Sequence, residues 1–307
     1  MGSPDARHGT SRLEARAARR ERALAARPDQ TPTAPAPGHL RVATWNLNSI
    51  RTRLPALERF LVRTAPDVLC VQETKAADLP GAAMAMFEAH GYDVAHAGSG
   101  GYNGVAIAAR HPISEIERSG GFADEHLDRE ARLVTAIVHA GRRIRVASVY
   151  VPHGRTVDHW HYRYKLSFLD ALTERAAGWL GDHPALVIAG DLNVAPTDSD
   201  VFHPDAFVGM THVTPAEREA LARLFDTGLV DVDAARWGPH ARRFTWWNHG
   251  IGYSRNLGMR LDLIAADRAL AERLVTTWID HAARAEQRPS DHAALVADFR
   301  STASGGR

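Results

Sequence analysis

The chain reads as an α/β protein built in layers, and two observations carry that reading. From Leu40 onward, short apolar runs of strand length alternate with stretches of helical periodicity, the pattern of helices packed on sheets. The composition is that of an ordinary globular protein, with 307 residues of which 45% are hydrophobic and 24% charged, enough for one large domain or two small ones. The alternation alone does not separate two sheets packed face to face from a single doubly wound sheet.

The elements follow in order. Residues 1–39 hold seven Arg against four acids, a surplus of +3, so the formal net charge of +1 leaves the remainder near −2. Within them Ser11–Arg27 is rich in Ala, Arg and Glu and has too few apolar residues to bury a face, while Pro28–Gly38 reads as an extended linker. The expectation is a disordered basic tail over 1–39, one catalytic domain over 40–301 and a flexible end over 302–307. RVATWNLNSIR (41–51) reads as a strand, followed by a helix over Arg53–Thr64 with Leu54, Leu57 and Leu61 on one face. DVLCVQETK (67–75) is a second strand, in which Cys70, the only cysteine, is a small core residue and excludes an intrachain disulfide. Strands are expected at Gly104–Ala109, RLVTAIV, RRIRVASVY, ALVIA (185–189), FTWW, MRLDLIAAD and PSDHAALVADF. The longest helix falls on His159–Leu180, with Asp158 as N-cap and Trp160, Tyr164, Phe168 and Leu172 as a core stripe. Thr214 and Pro215 open another helix over Glu217–Phe225. No apolar run approaches the roughly 20 residues of a membrane span and no apolar N-terminal core marks a secretory signal, so a cytoplasmic protein is expected.

Chemistry-bearing residues gather where the apolar runs end. Asn46 and Asn48 close the first strand, Gln72, Glu73 and Lys75 the second, and Tyr150 and His153 the VASVYVPHG strand. In GDLN, Asp191 and Asn193 follow ALVIA two residues apart, and strand alternation places both on one face. Asp262 lies inside an otherwise apolar strand, where a carboxylate is costly unless paired, and Asp291 and His292 open the last one. Six such ends read as one convergent site. A carboxylate and an amide placed like Asp191 and Asn193 can together hold a water and a phosphoryl oxygen, and hard oxygen donors of this kind suit Mg²⁺; no Cys cluster or HxxxH spacing predicts a structural zinc.

Taken in order, TWNLNSIR, QETK, GYNGVAIAAR, YVPHG, GDLNVAPTD, GMRLDLI and SDH resemble the exodeoxyribonuclease III branch of the endonuclease/exonuclease/phosphatase superfamily over about Leu40–Phe299. APTDSDV after GDLN and the THVTPAERE stretch near Thr211 point to that branch rather than to phosphatase or sphingomyelinase relatives. The resemblance implies a four-layer α/β/β/α sandwich of two mixed sheets with two similar halves. It implies a Mg²⁺-dependent nuclease, with Mn²⁺ as substitute, acting as a monomer on duplex DNA at abasic sites and 3′ ends, in the cytoplasm beside the nucleoid. By residue, it implies Glu73 as leading metal ligand with Asn46 and Asp291. Asp191 would orient or deprotonate the attacking water, and Asn193 would hold that water or a phosphate oxygen. His292 would bind the phosphate with its ring fixed by Asp262, and Tyr150 would stabilise charge. Lys75 matches the family's supporting lysine, and Trp246, Met259 and Leu261 match the pocket for an extruded abasic sugar. Two positions depart from relatives: Met259 stands where some carry Trp, and His153 where many carry Gln or Asn. Arg51 and Arg53 read either as phosphate contacts or as solvated charges. Two competing readings are a lipid or small-phosphoester hydrolase on the same scaffold and an inactive DNA-binding paralogue; the latter should have lost one of the acids or the histidine.

Overall fold

The structure is a computed structural model describing residue 15 and residues 35–301, except 123, 183 and 184. Its strands in chain order are β1 (His39–Asn46), β2 (Val68–Gln72), β3 (Asp93–Ala97), β4 (Val105–Ala109), β5 (Ile113–Glu117), β6 (Leu133–His139) and β7 (Arg143–Tyr150). There follow β8 (Ala185–Asp191), β9 (Leu229–Asp231), β10 (Trp246–Trp247), β11 (Gly258–Met259), β12 (Asp262–Asp267), β13 (Leu274–Asp280) and β14 (Ala294–Arg300). They form two six-stranded sheets, ordered β13-β14-β1-β2-β4-β3 and β5-β6-β7-β8-β12-β9, with β10 and β11 as a short ribbon. Each sheet has one parallel pair at its centre, β1 with β2 and β7 with β8, and all its other pairs are antiparallel.

Both central pairs are joined by a helix, Ile50–Thr64 in the first sheet and Trp160–Gly181 in the second. The two halves thus repeat one plan: a parallel pair needs a long crossover, and the crossover helix covers the outer face. Alternation along β1 shows how the layers are sorted. Leu40 and Val42 join the core between the sheets, with Cys70, Val146 and Val187, whereas Ala43 and Trp45 pack outward with Leu57 and Phe60 of the first helix. Phe168 and Leu172 cover the second sheet in the same way. The architecture is the four-layer sandwich rather than a doubly wound single sheet. Burial pushes the Cys70 thiol up to about 12, so it is an unreactive core residue.

Several boundaries differ from expectation. The long helix starts at Trp160 and is capped by His159, whose Nδ1 accepts from the His161 amide at 3.1 Å, so Asp158 is not the cap. Trp160 does not continue the core stripe, being 58% exposed. Strand β12 begins at Asp262 rather than containing it, and β14 begins after Asp291 and His292. Of FTWW only the two tryptophans are in a strand. The expected disordered tail over 1–39 lies outside the described residues apart from 15 and 35–39, and the expected flexible end over 302–307 lies wholly outside them.

Candidate active site

Strand register assembles half of the site. In the second sheet Tyr150 of β7 and Asp262 of β12 both pair with Asp191 of β8, so three polar residues stand on adjacent strands, about 4.8 Å apart per step. In the first sheet Asn46 pairs with Gln72, directly before Glu73. The ends of β1, β2, β7 and β8 and the beginnings of β12 and β14 thus share one edge of the sandwich.

Asn46 joins the sheets. Its Nδ2 donates to Glu73 Oε1 at 2.9 Å and to Asp191 Oδ2 at 3.0 Å, while its Oδ1 accepts from the Asn48 amide at 2.9 Å. Asn46 thus stands between two carboxylates, its Nδ2 donating to both and its Oδ1 holding one hydrogen bond with a second lone pair left over. Lys75 Nζ lies 2.8 Å from Glu73 Oε2 and donates to Asn48 Oδ1 at 2.6 Å, within the cluster. Asn48 Nδ2 in turn donates to Asp291 Oδ1 at 3.0 Å, and Trp246 Nε1 to Asp291 Oδ2 at 3.2 Å.

His292 is gripped from several directions. Its Nδ1 lies 2.8 Å from Asp262 Oδ2 and its Nε2 3.7 Å from Asp191 Oδ2. Its amide donates to Ser290 Oγ, which donates to Asn46 O, and its carbonyl accepts from Trp45 Nε1. Burial disfavours the charged ring, but Asp262 and Asp191 outweigh it and raise the imidazole to about 10. Burial also pushes Asp191 up, to about 7, against the attraction of His292. Glu73 and Asp291 behave oppositely. Burial works against each charge, but Lys75 and Asn46 hold Glu73 below its ordinary value, and His292 with Asn48 hold Asp291 at about 2. Tyr150 is pushed well above its ordinary value, by burial first and then by Glu73 and Asp191, so its phenol keeps the proton and acts as a donor.

The backbone is strained where these groups leave the sheets. Asn48, Ser49, Glu73, Lys75 and Asn193 all adopt positive φ, the left-handed region sparsely used by residues other than glycine. Asn193 therefore does not share the strand face of Asp191 by alternation. Its amide folds back onto Asp191 Oδ1 at 3.0 Å, and its Nδ2 donates to Val151 O at 2.9 Å.

The outer positions divide. Arg51 is exposed at the start of the first helix, whereas Arg53 binds the carbonyls of Asn48 and Pro289 and clamps the loops there. His153 is exposed at the rim. Met259 and Leu261 are only 1% and 3% exposed and pack with Ala195 and Val201. Of the three positions expected to line a sugar pocket, Trp246 is half-buried and the other two lie beneath the surface. Sequence reasoning gave no role to Ser290, Thr245, Lys165 and His212, and placed Asn48 at a strand end without a partner. Thr245 Oγ1 accepts from the amides of Leu261 and Asp262. One signal was present: the chain has two lysines, Lys75 and Lys165, amid many arginines, and both end in this network.

The ligand atoms of Asp191, Asp262 and His292 lie within 4.8 Å of one another and could hold a metal ion. Among the described residues no helix is long and apolar enough to cross a membrane.

Residues 43–292 match the model of the endonuclease/exonuclease/phosphatase family. The chain is 30% identical over 271 residues to exodeoxyribonuclease III of Haemophilus influenzae, covering 85% of this chain and 100% of that protein. Among solved structures, the 3′ phosphatase NExo from Neisseria bound to a product DNA hairpin is 32% identical with a TM-score of 0.79, the match covering 85% of this chain and 99% of that one. An AP endonuclease from Archaeoglobus fulgidus is 36% identical with a TM-score of 0.78, at the same coverage. By the length of the family match, by these identities and by the fold, the chain belongs to the endonuclease/exonuclease/phosphatase family, among its exodeoxyribonuclease III-type members.

Proposed function

We propose that this protein is a metal-dependent DNA repair nuclease that incises duplex DNA 5′ to abasic sites and trims or cleans 3′ ends. The observation that carries this reading is the joining, by one hydrogen-bonded network, of Asn46, Glu73, Asp191, Asp262 and His292 at one edge of the sandwich. The names of the relatives, an exodeoxyribonuclease III, an AP endonuclease and a DNA-bound 3′ phosphatase, support DNA as the substrate. No loss marks an inactive paralogue: every acid and the histidine are present. In this reading the protein acts in the cytoplasm, beside the nucleoid, as a monomer.

The donor set fits a hard cation. Glu73 and Asp291 are oxygen donors whose surroundings keep them ionised, and these two would hold Mg²⁺ or Mn²⁺. His292, raised to about 10, is a cation at neutral pH and has no lone pair to give, which favours that pair over the Asp191–Asp262–His292 trio. A bound divalent ion supplies positive charge to the phosphate oxygens. The protein does the rest. His292 and Tyr150 donate hydrogen bonds to the phosphodiester. Asp191 takes the proton of the attacking water as the new P–O bond forms and the bond to the leaving sugar oxygen breaks, and that oxygen takes a proton from solvent to become a sugar hydroxyl. Asn193, anchored through Nδ2 on Val151, orients the water, and Asp262 keeps the His292 ring in place and charged.

The test compares abasic duplex, recessed 3′ end, 3′-phosphate duplex and a lipid phosphodiester, each with Mg²⁺ and with excess chelator. DNA cleavage should appear with Mg²⁺, vanish with chelator and return on adding the metal back. Full activity in chelator would refute the metal assignment, and turnover confined to the lipid would refute the DNA assignment.

A further inference from the structure

The carbonyl of Asn193 receives two donors that the scheme above leaves unused. Lys165 Nζ reaches it at 2.6 Å from the long crossover helix, and His212 Nδ1 at 2.6 Å from the loop before the helix Pro215–Asp226. Lys165 is fully buried and its charge is matched by fully buried Glu217, which also accepts from Thr211 Oγ1 and from the His212 amide. His212 itself sits at φ 79°, a left-handed backbone that its neighbours must enforce.

The tautomers follow from the contacts. A carbonyl oxygen only accepts, so His212 Nδ1 carries the hydrogen and, in the neutral ring, its Nε2 is bare. His153 Nε2 lies 3.3 Å from that bare nitrogen, and His153 Nδ1 accepts from the Arg155 amide at 3.0 Å, so His153 Nε2 is the protonated nitrogen and donates. The same contacts argue against a metal ion between the two rings, because a liganding His153 Nε2 would need a proton on Nδ1, facing another N–H. With its amide on Asp191, its Nδ2 on Val151 and its carbonyl on Lys165 and His212, Asn193 is fixed in a conformation few residues adopt.

We infer that His212 and Lys165 are positioning residues: they pin the carbonyl of Asn193 and thereby hold its side chain where it orients the attacking water. This rests on the nuclease reading of the site. Positioning errors of about 1 Å cost roughly 10²-fold in rate, so His212→Leu should lower kcat on Mg²⁺-loaded abasic duplex by about 10- to 100-fold with KM within a few-fold. His212→Asn, whose Nδ2 takes the place of Nδ1, should restore most of that loss. His212→Gln, whose amide reaches only the Nε2 place, should not.

Asparagine also tolerates the left-handed backbone, so each full-length variant is melted and kcat is compared per folded molecule. A double-mutant cycle separates the roles: in an Asn193→Ala background, His212→Leu should cost little further. The double variant Lys165→Met/Glu217→Leu removes both charges of the buried pair together and should show the same split between kcat and KM. Undiminished kcat in folded His212→Leu, equal recovery by Asn and Gln, or full additivity with Asn193→Ala would each overturn the inference. A wild-type protein that cleaves no DNA would instead overturn the nuclease reading beneath it.

Discussion

Asp191 is caught between two demands. Burial raises its carboxyl to about 7, so the metal-free fold keeps only about half of it ionised at neutral pH, whereas catalysis needs it ionised. A group whose folded pKa lies above its unfolded one gives stability that is fully present below the unfolded value and is lost as pH rises through the folded value. Here the window runs from the model-compound value of 3.8 up to about 7. In chelator at pH 8, Asp191→Asn should therefore melt a few degrees higher than wild type, with the gap narrowing as pH approaches 4. The same change should cut kcat by about 10²–10⁴-fold or more, since it removes the positioned base, while DNA binding persists. Near-normal turnover would remove Asp191 from the role of base, and an unchanged melt would show that its burial cost is met by other groups. Asp262→Asn should be milder in kcat, because Asp262 acts through the ring of His292. It should also shift the basic limb of the pH profile to lower pH, because the carboxylate is the first of the groups that raise His292. An unmoved basic limb would count against that link.

At the scale of single elements, β8 shows why GDLN carries its glycine. Gly190 pairs with Val149 across the parallel β7–β8 ladder, and a Cβ there would lie 1.9 Å from the Val149 carbonyl oxygen and 2.8 Å from its carbonyl carbon. Backbone cannot move aside as a flexible side-chain tip can. Gly190→Ala should force the two strands apart at the step that aligns Tyr150 with Asp191, costing about 3 kcal/mol or more. Urea unfolding of the purified variant measures this; a wild-type midpoint would show that the ladder opens without penalty. The end of the same strand is where expectation failed. Alternation holds only while the backbone is extended, and Asn193, at φ 51°, has left the strand.

For the whole molecule, the two sheets with matching strand order place the site at the edge opposite Gly38 and Ser301. The Ser301 amide donates to Gly38 O at 2.7 Å, beside the start of β1, and Asn46 lies at the other end of that strand. Eight residues of strand span about 25 Å, so residues before Gly38 attach far from Asn46. We propose that residues 1–39, if they touch DNA, add affinity and not chemistry. Deleting them should leave the fold, the metal requirement and kcat on saturating abasic duplex unchanged. It should raise KM by at most about tenfold at low salt and flatten the salt dependence, since fewer counterions are released. Equal salt slopes for the two forms would refute the arm, and loss of soluble folding would refute the domain boundary near Leu40.

By itself, the sequence determined the α/β class, the strand ends that carry chemistry and the family, because apolar periodicity and short motifs are local properties. GDLN and SDH named Asp191 and His292, and an acid inside an otherwise apolar run announced Asp262 and its need for a partner, which proved to be His292 at 2.8 Å. The tertiary structure decided what local pattern cannot hold. Two sheets rather than one, the place of Asn46 between two carboxylates, the bond of Lys75 to Asn48 and the burial of Met259 and Leu261 all depend on residues far apart in the chain. The same is true of Lys165, which reads as one more charge on a helix until Glu217, fifty-two residues away, gives it a buried partner and Asn193 gives it a carbonyl to hold. A buried charge is stable only when groups from elsewhere in the fold surround it, so its role is set when the helices dock and is invisible before.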